Sequence, residues 1–420
     1  MNERIYVSVA SYRDPQLKPT LKNLIKTADN PDNLRICVAW QHSREDVWDE
    51  LDAYKDDKRF DILDLDASQS RGVCWARQMV QRHWHNEGYY FQIDSHMRFM
   101  KGWDTKLKNM IKMLQEDGHE KPILTTYVPS FDAESGEKKM ENWKMIFDRF
   151  TPEGVVFHRP EPFTSSNPIR FLPTQFFSAH FMFTIGKWAK EVQYDPNIYF
   201  HGEEITLAVR SYTHGYDSFV PYQNMAWHEY TRKGRRRVWD DDKEWVQKNE
   251  KSLKLVRAVL GVDGKGELPE GAIYRWNMGT ARTKEDYEKF AGIRFKDRAV
   301  QQYTLNHLDP PNPQYASGEW YEKSWRRPFR HCLNVPLIRV MGIGIEFSHF
   351  AVIFEDEKGE PIHRQDAGPE EIANNYNGAY IHIWREYEMT DNKPFPHHAV
   401  VWPYNKIGEW GEKIVIPIGY

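Results

Sequence analysis

The chain reads as an α/β protein built on a mostly parallel sheet with helices on both faces, followed by a small C-terminal β-rich unit. Three observations predict this. Over the first third, short apolar runs of strand length alternate with amphipathic stretches of about a dozen residues, as in strands laid parallel by helical crossovers. One of these runs, Tyr89-Tyr90-Phe91-Gln92-Ile93, ends in Asp94-Ser95-His96, placing an oxygen and an imidazole at the carboxyl end of a strand, where α/β sheets bind ligands. Roughly the last hundred residues give up the alternation for short strand-like runs separated by turn residues.

Ile5 to Ala10 is the first expected strand, and Gln16 to Thr27 carries Leu17, Leu21, Leu24 and Ile25 at helical spacing. Leu34 to Trp40 and Asp61 to Leu65 give the next two strands. Ser70 to Trp84 reads as a helix through Val73, Ala76, Val80 and Trp84, and it precedes the strand that delivers Asp94. Trp103 to Leu114 is again amphipathic and leads to a strand at Ile123 to Val128. From about residue 129 the pattern loosens into stretches such as Phe157-His158-Arg159-Pro160-Glu161-Pro162-Phe163, read as loops over the sheet. Regularity returns with a strand at Phe176 to Phe183, a helix at Lys187 to Val192, a helix after His201-Gly202-Glu203-Glu204, and short strands at Ser218 to Pro221 and Met225 to His228. Lys243 to Val259 is amphipathic and Gly261 ends it; a Gly-rich linker to Gly271 and a short helix at Thr283 to Phe290 come next. In the tail, Val335 to Val340, Gly344 to Phe354, Ile362 to Gln365, Tyr380 to Glu386, His398 to Trp402 and Lys413 to Ile418 are strand candidates, with Asp356-Glu357-Lys358-Gly359 as a hairpin turn. The expected division is an α/β unit over 1–305 and a β-rich accessory unit over 306–420.

The 420 residues exceed one ordinary core, in keeping with two units. A net charge of -4 gives no global field toward nucleic acid or an anionic membrane, so such binding needs a local basic patch. Cys37, Cys74 and Cys332 are odd in number and lack C-x-x-C spacing, which argues against a disulfide framework and for a reducing, cytoplasmic setting. No signal peptide or long apolar run is present, so no membrane partner is expected. The 16 Trp, 22 Tyr and 22 Phe suggest stacking surfaces as well as core, since rings supply both.

Residues i and i+2 of an extended chain point the same way, so Asp94 and His96 can grip one ion together. Read alone, the pair is also an ordinary loop carboxylate beside a polar residue. Trp227-His228 adds a second imidazole after another short strand, and a mixed oxygen and nitrogen set suits Mn²⁺ better than Mg²⁺. Glu203 and Glu204 open a helix, where carboxylates are common for dipole reasons alone; beside a metal edge, either can hold sugar or acceptor hydroxyls or act as a base. Ser11, Arg13 and Asp14 come after the first strand, where a doubly wound fold places nucleotide, although Arg13 and Asp14 also read as a self-paired turn. Arg71 and Arg77 are set near one another across helical turns, as a phosphate contact or a surface face. Lys233-Gly234-Arg235-Arg236-Arg237 is either a solvated loop or a mobile clamp on a diphosphate, with Lys233 and Arg235 as the expected contacts. A second basic and aromatic run, Trp325-Arg326-Arg327-Pro328-Phe329-Arg330-His331, reads as an acceptor surface or a packed linker.

In this order the elements resemble the metal-dependent GT-A fold glycosyltransferases, and more closely the UDP-GlcNAc:polypeptide hydroxyproline N-acetylglucosaminyltransferase family. The resemblance spans roughly residues 3 to 295 and rests on Ala10-Ser11-Tyr12-Arg13-Asp14, Arg71-Gly72 with Trp75-Ala76-Arg77, Gln92-Ile93-Asp94-Ser95-His96, Tyr194-Asp195-Pro196, His201-Gly202-Glu203-Glu204, Trp227-His228 and Gly279-Thr280-Ala281-Arg282-Thr283. It implies that Asp94, His96 and His228 hold a divalent ion, Mn²⁺ or Mg²⁺, against the diphosphate of a UDP-sugar. Ser11, Arg13, Asp14, Arg71 and Arg77 then contact nucleotide, Glu203 or Glu204 positions donor sugar or acceptor, and transfer retains the anomeric configuration. The implied product is a sugar, GlcNAc first, on a macromolecular hydroxyl, hydroxyproline-type protein first. The tail lies outside the resemblance, so a hydroxymethylated pyrimidine in DNA stands as an alternative acceptor, and an inactive carbohydrate-binding remnant as a third reading.

Overall fold

The computed structural model describes residues 2–163, 170–232, 234–264, 276–313, 323–341, 347–390 and 393–418. Lys233, and residues 265–271 of the expected linker, lie outside this set. The first half runs β1 (Ile5–Tyr12), α1 (Leu17–Thr27), β2 (Leu34–His42), α2 (Asp52–Lys55), β3 (Phe60–Asp66), α3 (Val73–Gln81), β4 (Tyr89–Asp94), β5 (Met97–Phe99), α4 (Trp103–Glu116) and β6 (Pro122–Thr125). The chain continues through β7 (Asn142–Phe150), β8 (Val156–Phe163), β9 (Leu172–Pro173), β10 (Phe181–Ile185), α5 (Trp188–Glu191), α6 (Glu203–Thr213), β11 (Asp217–Val220), β12 (Ala226–His228), α7 (Val238–Asp241), α8 (Trp245–Leu260) and α9 (Lys284–Ala291).

Eight strands form one sheet in the order β3-β2-β1-β4-β10-β6-β11-β9. β3, β2, β1 and β4 are parallel, β10 runs against β4 and β6, and β11 is parallel to β6. Strands covered on both faces need continuous apolar runs, and β1 supplies Ile5, Tyr6, Val7 and Val9, all buried. α1 buries Leu17, Leu21 and Leu24 and leaves Lys18, Lys22 and Lys26 outside. Each such leucine contributes roughly 1.5–3 kcal/mol of burial. The expected α/β class with a mostly parallel sheet is the one observed. Among the described residues no helix is long and apolar enough to cross a membrane.

The region from 129 departs from expectation. Instead of loops, β7 and β8 pair antiparallel as a two-stranded ribbon, with Pro160 opposite Met145 and Pro162 opposite Trp143. Proline cannot donate to a ladder, so its density concealed a strand that has only one partner. The strand expected at Phe176 to Phe183 is confined to Phe181–Ile185. Phe176 and Phe177 are nonetheless fully buried, which explains the apolar run.

In the tail, Pro328–Pro336 pairs with Tyr380–Glu388, while Phe347–Glu355, Pro361–Arg364, His398–Asn405 and Ile414–Pro417 make a second antiparallel sheet. Their inward residues, including Leu333, Phe350, Val352, Phe354, Ile383 and Val401, form a core of their own. Val335 to Val340 is not one strand: the strand ends at Pro336 and a helix takes Leu337–Met341. The run from Trp325 to His331 is largely structural, because Trp325 and Phe329 are buried and Pro328 to His331 belong to a strand.

Two glycines set the helices that carry site residues. Gly72 precedes α3 at φ +104, and a Cβ there would lie 2.5 Å from the Tyr199 carbonyl oxygen. Gly202 precedes α6 at φ +92, where a Cβ would lie 2.5 Å from Val256 Cγ2. Both need left-handed backbone and no side chain. We expect Gly72→Ala to cost about 1–3 kcal/mol, read as a lower midpoint in urea unfolding; an unchanged midpoint would contradict the close approach.

Candidate metal and sugar-nucleotide site

At the carboxyl edge of the sheet, the end of β4 meets β12. β12 pairs antiparallel with β5, and His228 sits in register with Met97, one residue beyond His96. The pairing carries His228 to the Asp94-His96 turn from more than a hundred residues away. Asp94 Oδ2 lies 3.2 Å from His228 Nε2 and 3.5 Å from His96 Nε2. Donors about 2.1–2.2 Å from a common divalent ion, at ordinary coordination angles, stand about 3.0–3.5 Å apart, so this spacing fits one ion. All three ligand atoms lie within 4.8 Å of one another.

The electrostatics suit a cation. Burial, and then the charge of His96, pull His228 down to about 4, so its imidazole is neutral at physiological pH, the ligating form. Burial opposes ionisation of Asp94, but the His228 hydrogen bond and the Arg77 charge outweigh it and hold the carboxyl well below its usual range. Asp14 stands behind His96: its Oδ2 is 2.7 Å from His96 Nδ1 and accepts from Ser95 Oγ at 2.7 Å. Despite burial, these partners and Arg235 lower Asp14 to about 2. A carboxylate on the far nitrogen of a ligating histidine fixes the tautomer and aims the ring. Asp14 therefore stands beside the candidate metal-holding cluster as well as just past the end of β1.

Arg77 sits beneath the site. It is buried, gives Nη2 to Asp94 Oδ1 at 2.5 Å, and pairs through Nη1 with Glu203 Oε1. Its expected neighbour Arg71 lies before α3 begins and is exposed, so the two do not share a helical face and do not act as a pair. Burial raises Glu203 although Arg77 opposes the shift. Glu204 faces elsewhere: Oε1 accepts from the Ala179 amide at 2.9 Å and Oε2 from Tyr127 Oη at 2.9 Å. Burial, countered by these donors, puts Glu204 at about 7.

Just past the end of β1, Arg13 is held by Asp46 at 2.6 Å and Asp241 at 2.9 Å, not by Asp14. Tyr12 Oη also donates to Asp241, and Arg236 pairs with it at 2.6 Å. Ser11 is buried, and among the described residues its hydroxyl has no hydrogen-bond partner. Arg235 reaches back to Glu229 at 2.6 Å and Asp14 at 3.4 Å, which docks the basic loop on the ligand edge.

A cavity of about 460 Å³ opens between these groups, lined by Arg77, Asp94, Tyr127, His180, Glu203, Glu204, His228 and Arg232. Next to it lies a space of about 330 Å³ with Phe157, Tyr199, Phe200, His201, Trp239 and Trp245 around it, together with His331 from the tail. The two share Val155, Phe157, Phe200 and His201. The sequence reading missed His180, whose ring lies 4.5 Å from that of His228 and which burial holds well below its usual range. It also missed Tyr230, whose ring lies tilted against that of His228 at 4.3 Å, and the whole aromatic annex. Nothing in the local sequence around His180 marks it, whereas Tyr230 lies two residues past His228 and could have been included.

A family model described as "Glycosyltransferase (GlcNAc)" matches residues 4–59 and 49–297. Among solved structures the chain is similar to GalNAc-T7 with UDP, GalNAc and Mn²⁺, at 12% identity and a TM-score of 0.46, covering 68% of this chain and 54% of that one. It is also similar to TarS 1–349 from S. aureus in complex with UDP-GlcNAc, at 13% identity, a TM-score of 0.38 and coverage of 61% and 66%. The mannosyltransferase PcManGT from Pyrobaculum calidifontis, in complex with GDP-Man and Mn²⁺, gives 14% identity, a TM-score of 0.36 and 61% coverage of each chain. This chain thus spans about half the length of GalNAc-T7. No curated protein matches it.

The Glu204 environment has a measurable signature. Its folded pKa of about 7 lies above the ordinary value of 4.5. Its contribution to stability is therefore fully present below about 4.5 and is lost as pH rises through about 7. Glu204→Gln keeps an acceptor for the Ala179 amide and cannot ionise. We expect the melting temperature of E204Q, relative to wild type, to be several degrees higher at pH 8 than at pH 5. A difference that does not vary with pH would contradict the buried carboxyl.

Proposed function

The chain belongs to the Glycosyltransferase (GlcNAc) family, and we propose that it moves a sugar, GlcNAc first, from a UDP-sugar to a hydroxyl of a macromolecular acceptor, with retention of configuration. The observation that carries this reading is the convergence of Asp94, His96 and His228 at one edge of the sheet, beside a cavity that also receives Glu203 and Glu204. The donor set fits Mn²⁺, with Mg²⁺ the weaker candidate because two of three ligands are imidazoles. When bound, the ion supplies positive charge to a diphosphate leaving group.

The chain's own residues have separable roles in this proposal. Ser11, Arg13 and Asp14 shape the nucleotide side at the end of β1; Arg71, exposed just before α3, and Lys233 offer charge to the phosphates, while Arg235, paired with Glu229 and Asp14, positions the basic run beside them. Arg77 is a positioning residue, since its guanidinium is spent on Asp94 and Glu203. Glu203 acts through it. Glu204, near neutrality and exposed to the cavity, holds a sugar or acceptor hydroxyl. In a same-face displacement the C1–O bond to diphosphate breaks, the bond to the acceptor oxygen forms on the face just vacated, and the acceptor proton passes to the departing phosphate oxygen. No dedicated base is then required.

The aromatic annex is the acceptor side. It adjoins the cavity through Val155, Phe157, Phe200 and His201 and receives His331 from the tail, which suits an accessory role for residues 306–420 beside a catalytic unit over 1–305. Flat side chains there favour a hydroxyl carried on a ring, hydroxyproline in a peptide first. Arg232 and Arg237 flank Trp239 at 5.9 and 5.7 Å, and this basic, aromatic edge is what favours hydroxymethylated DNA as a second acceptor.

With Mn²⁺ present, slow hydrolysis of UDP-GlcNAc without acceptor is expected, and Asp94→Asn should abolish it while Arg77 keeps Glu203 and the fold persists. Absence of turnover across several UDP-sugars would leave only the carbohydrate-binding remnant. Trp239→Ala should leave donor hydrolysis unchanged but raise the acceptor KM about tenfold, the value of one lost aromatic contact. Labelled donor offered to a hydroxyproline peptide and to hydroxymethylated DNA identifies the acceptor; loss of DNA transfer with rising salt is expected only in the second case.

A further inference from the structure

A second cluster of ligand-type side chains lies toward the β3 edge of the sheet and takes no part in the chemistry above. Cys37 and Asp61 are register partners on the parallel strands β2 and β3, so their side chains leave the same face at neighbouring positions. His83 comes just after the end of α3, the helix packed over that region, and its Nδ1 lies 2.8 Å from Asp61 Oδ2. The thiol, carboxylate and imidazole offer ligand atoms that all fall within 4.8 Å of one another. They come from three different elements.

We propose that Cys37, Asp61 and His83 form a second cation site, taking a thiophilic divalent ion such as Zn²⁺, with solvent completing the shell. The donor set differs in kind from that at Asp94: a thiolate beside one imidazole and one carboxylate selects Zn²⁺ or Co²⁺ over Mn²⁺ and Mg²⁺. Three protein ligands with an open position are enough for zinc. Coordination exchanges the Cys37 S–H bond for a metal–sulfur bond and releases the proton to solvent, with no change of oxidation state. Two neighbours bear on the site. Tyr6 Oη, beside Cys37, is committed to the Val80 carbonyl at 2.5 Å. Arg35 stands 3.5 Å from Asp61 Oδ2, but it also reaches Glu87 at 3.6 Å, which offers it a carboxylate when the ion takes Asp61. Such an ion ties the outer strand β3 to β2 and to the end of α3.

Cobalt separates this site from the first, because Asp94, His96 and His228 include no sulfur. The full-length protein, stripped of metal and titrated with Co²⁺ under reducing conditions, should develop a near-ultraviolet thiolate-to-cobalt charge-transfer band that saturates at one equivalent. Cys37→Ser should abolish the band. His83→Gln, a change at a half-exposed position that the fold tolerates, should weaken Co²⁺ binding at least tenfold. Asp94→Asn should leave the band intact and remove only a sulfur-free, second equivalent. Zn²⁺ should raise the melting temperature of wild type and of D94N but not of C37S. No thiolate band in wild type, or a band that survives in both C37S and H83Q, overturns the proposal, and neither result touches the transferase reading.

Discussion

The buried guanidinium of Arg77 is the interaction on which the site depends. It enters from α3 and joins two carboxylates that arrive from different parts of the chain, Asp94 from the end of β4 and Glu203 from the first turn of α6. Without it, two acidic groups would face each other in a setting that penalises each of them. With it, Asp94 stays ionised and presents its second oxygen to the histidines. Replacing one member of a buried pair strands the other at a cost of several kcal/mol, so the helix, strand and second helix are locked into one relative placement. Tyr194, whose hydroxyl accepts from Gln92 at 2.6 Å, closes the lower side of the same network. The glycines before α3 and α6 belong to this constraint: each lets its helix start against a neighbour close enough for the arginine to span the gap.

Charge in the upper layer is arranged in graded order. Asp14 braces His96, Asp94 faces both imidazoles, and His228 and the adjacent His180 are held neutral mainly by burial. Acid groups that remain charged beside bases that remain uncharged make a place with net attraction for a cation. Arg235 and Arg13 are already neutralised by Glu229, Asp14, Asp46 and Asp241 and do not compete for the ion's position.

Much of this is legible in the chain and some is not, for definite reasons. The strands β1, β2 and β4 are buried along most of their length, so their apolar runs stand out, the edge strand β3 shows instead as an alternation of apolar residues with aspartates, and α1, α3 and α4 announce themselves through apolar residues at helical spacing. Asp94 and His96 are visible because a strand and its end are local features. His228 is visible only as a lone imidazole after a short strand, and its approach to Asp94 depends on the β12–β5 pairing, which no local pattern encodes. Arg77 reads from the sequence as a phosphate or surface contact, since spacing says which face of a helix a residue is on but not that two carboxylates wait behind it. The β7–β8 ribbon is hidden by its prolines, and the basic run at Trp325 to His331 looks like a binding surface because charged residues alternate there with rings that in fact fill a core.

That ribbon has a mechanical consequence. Val156, Phe157 and His158 of β8 roof the cavity, while β7 is fastened to the C-terminal part of the chain through Lys144 to Asp309 at 3.0 Å and Arg330 to Asp148 at 2.5 Å. The roof of the cavity is thus anchored in the tail, and the two cannot drift independently. Strain in the tail reaches the roof through these two ion pairs, and a tail without Asp309 and Arg330 would leave the ribbon without both struts.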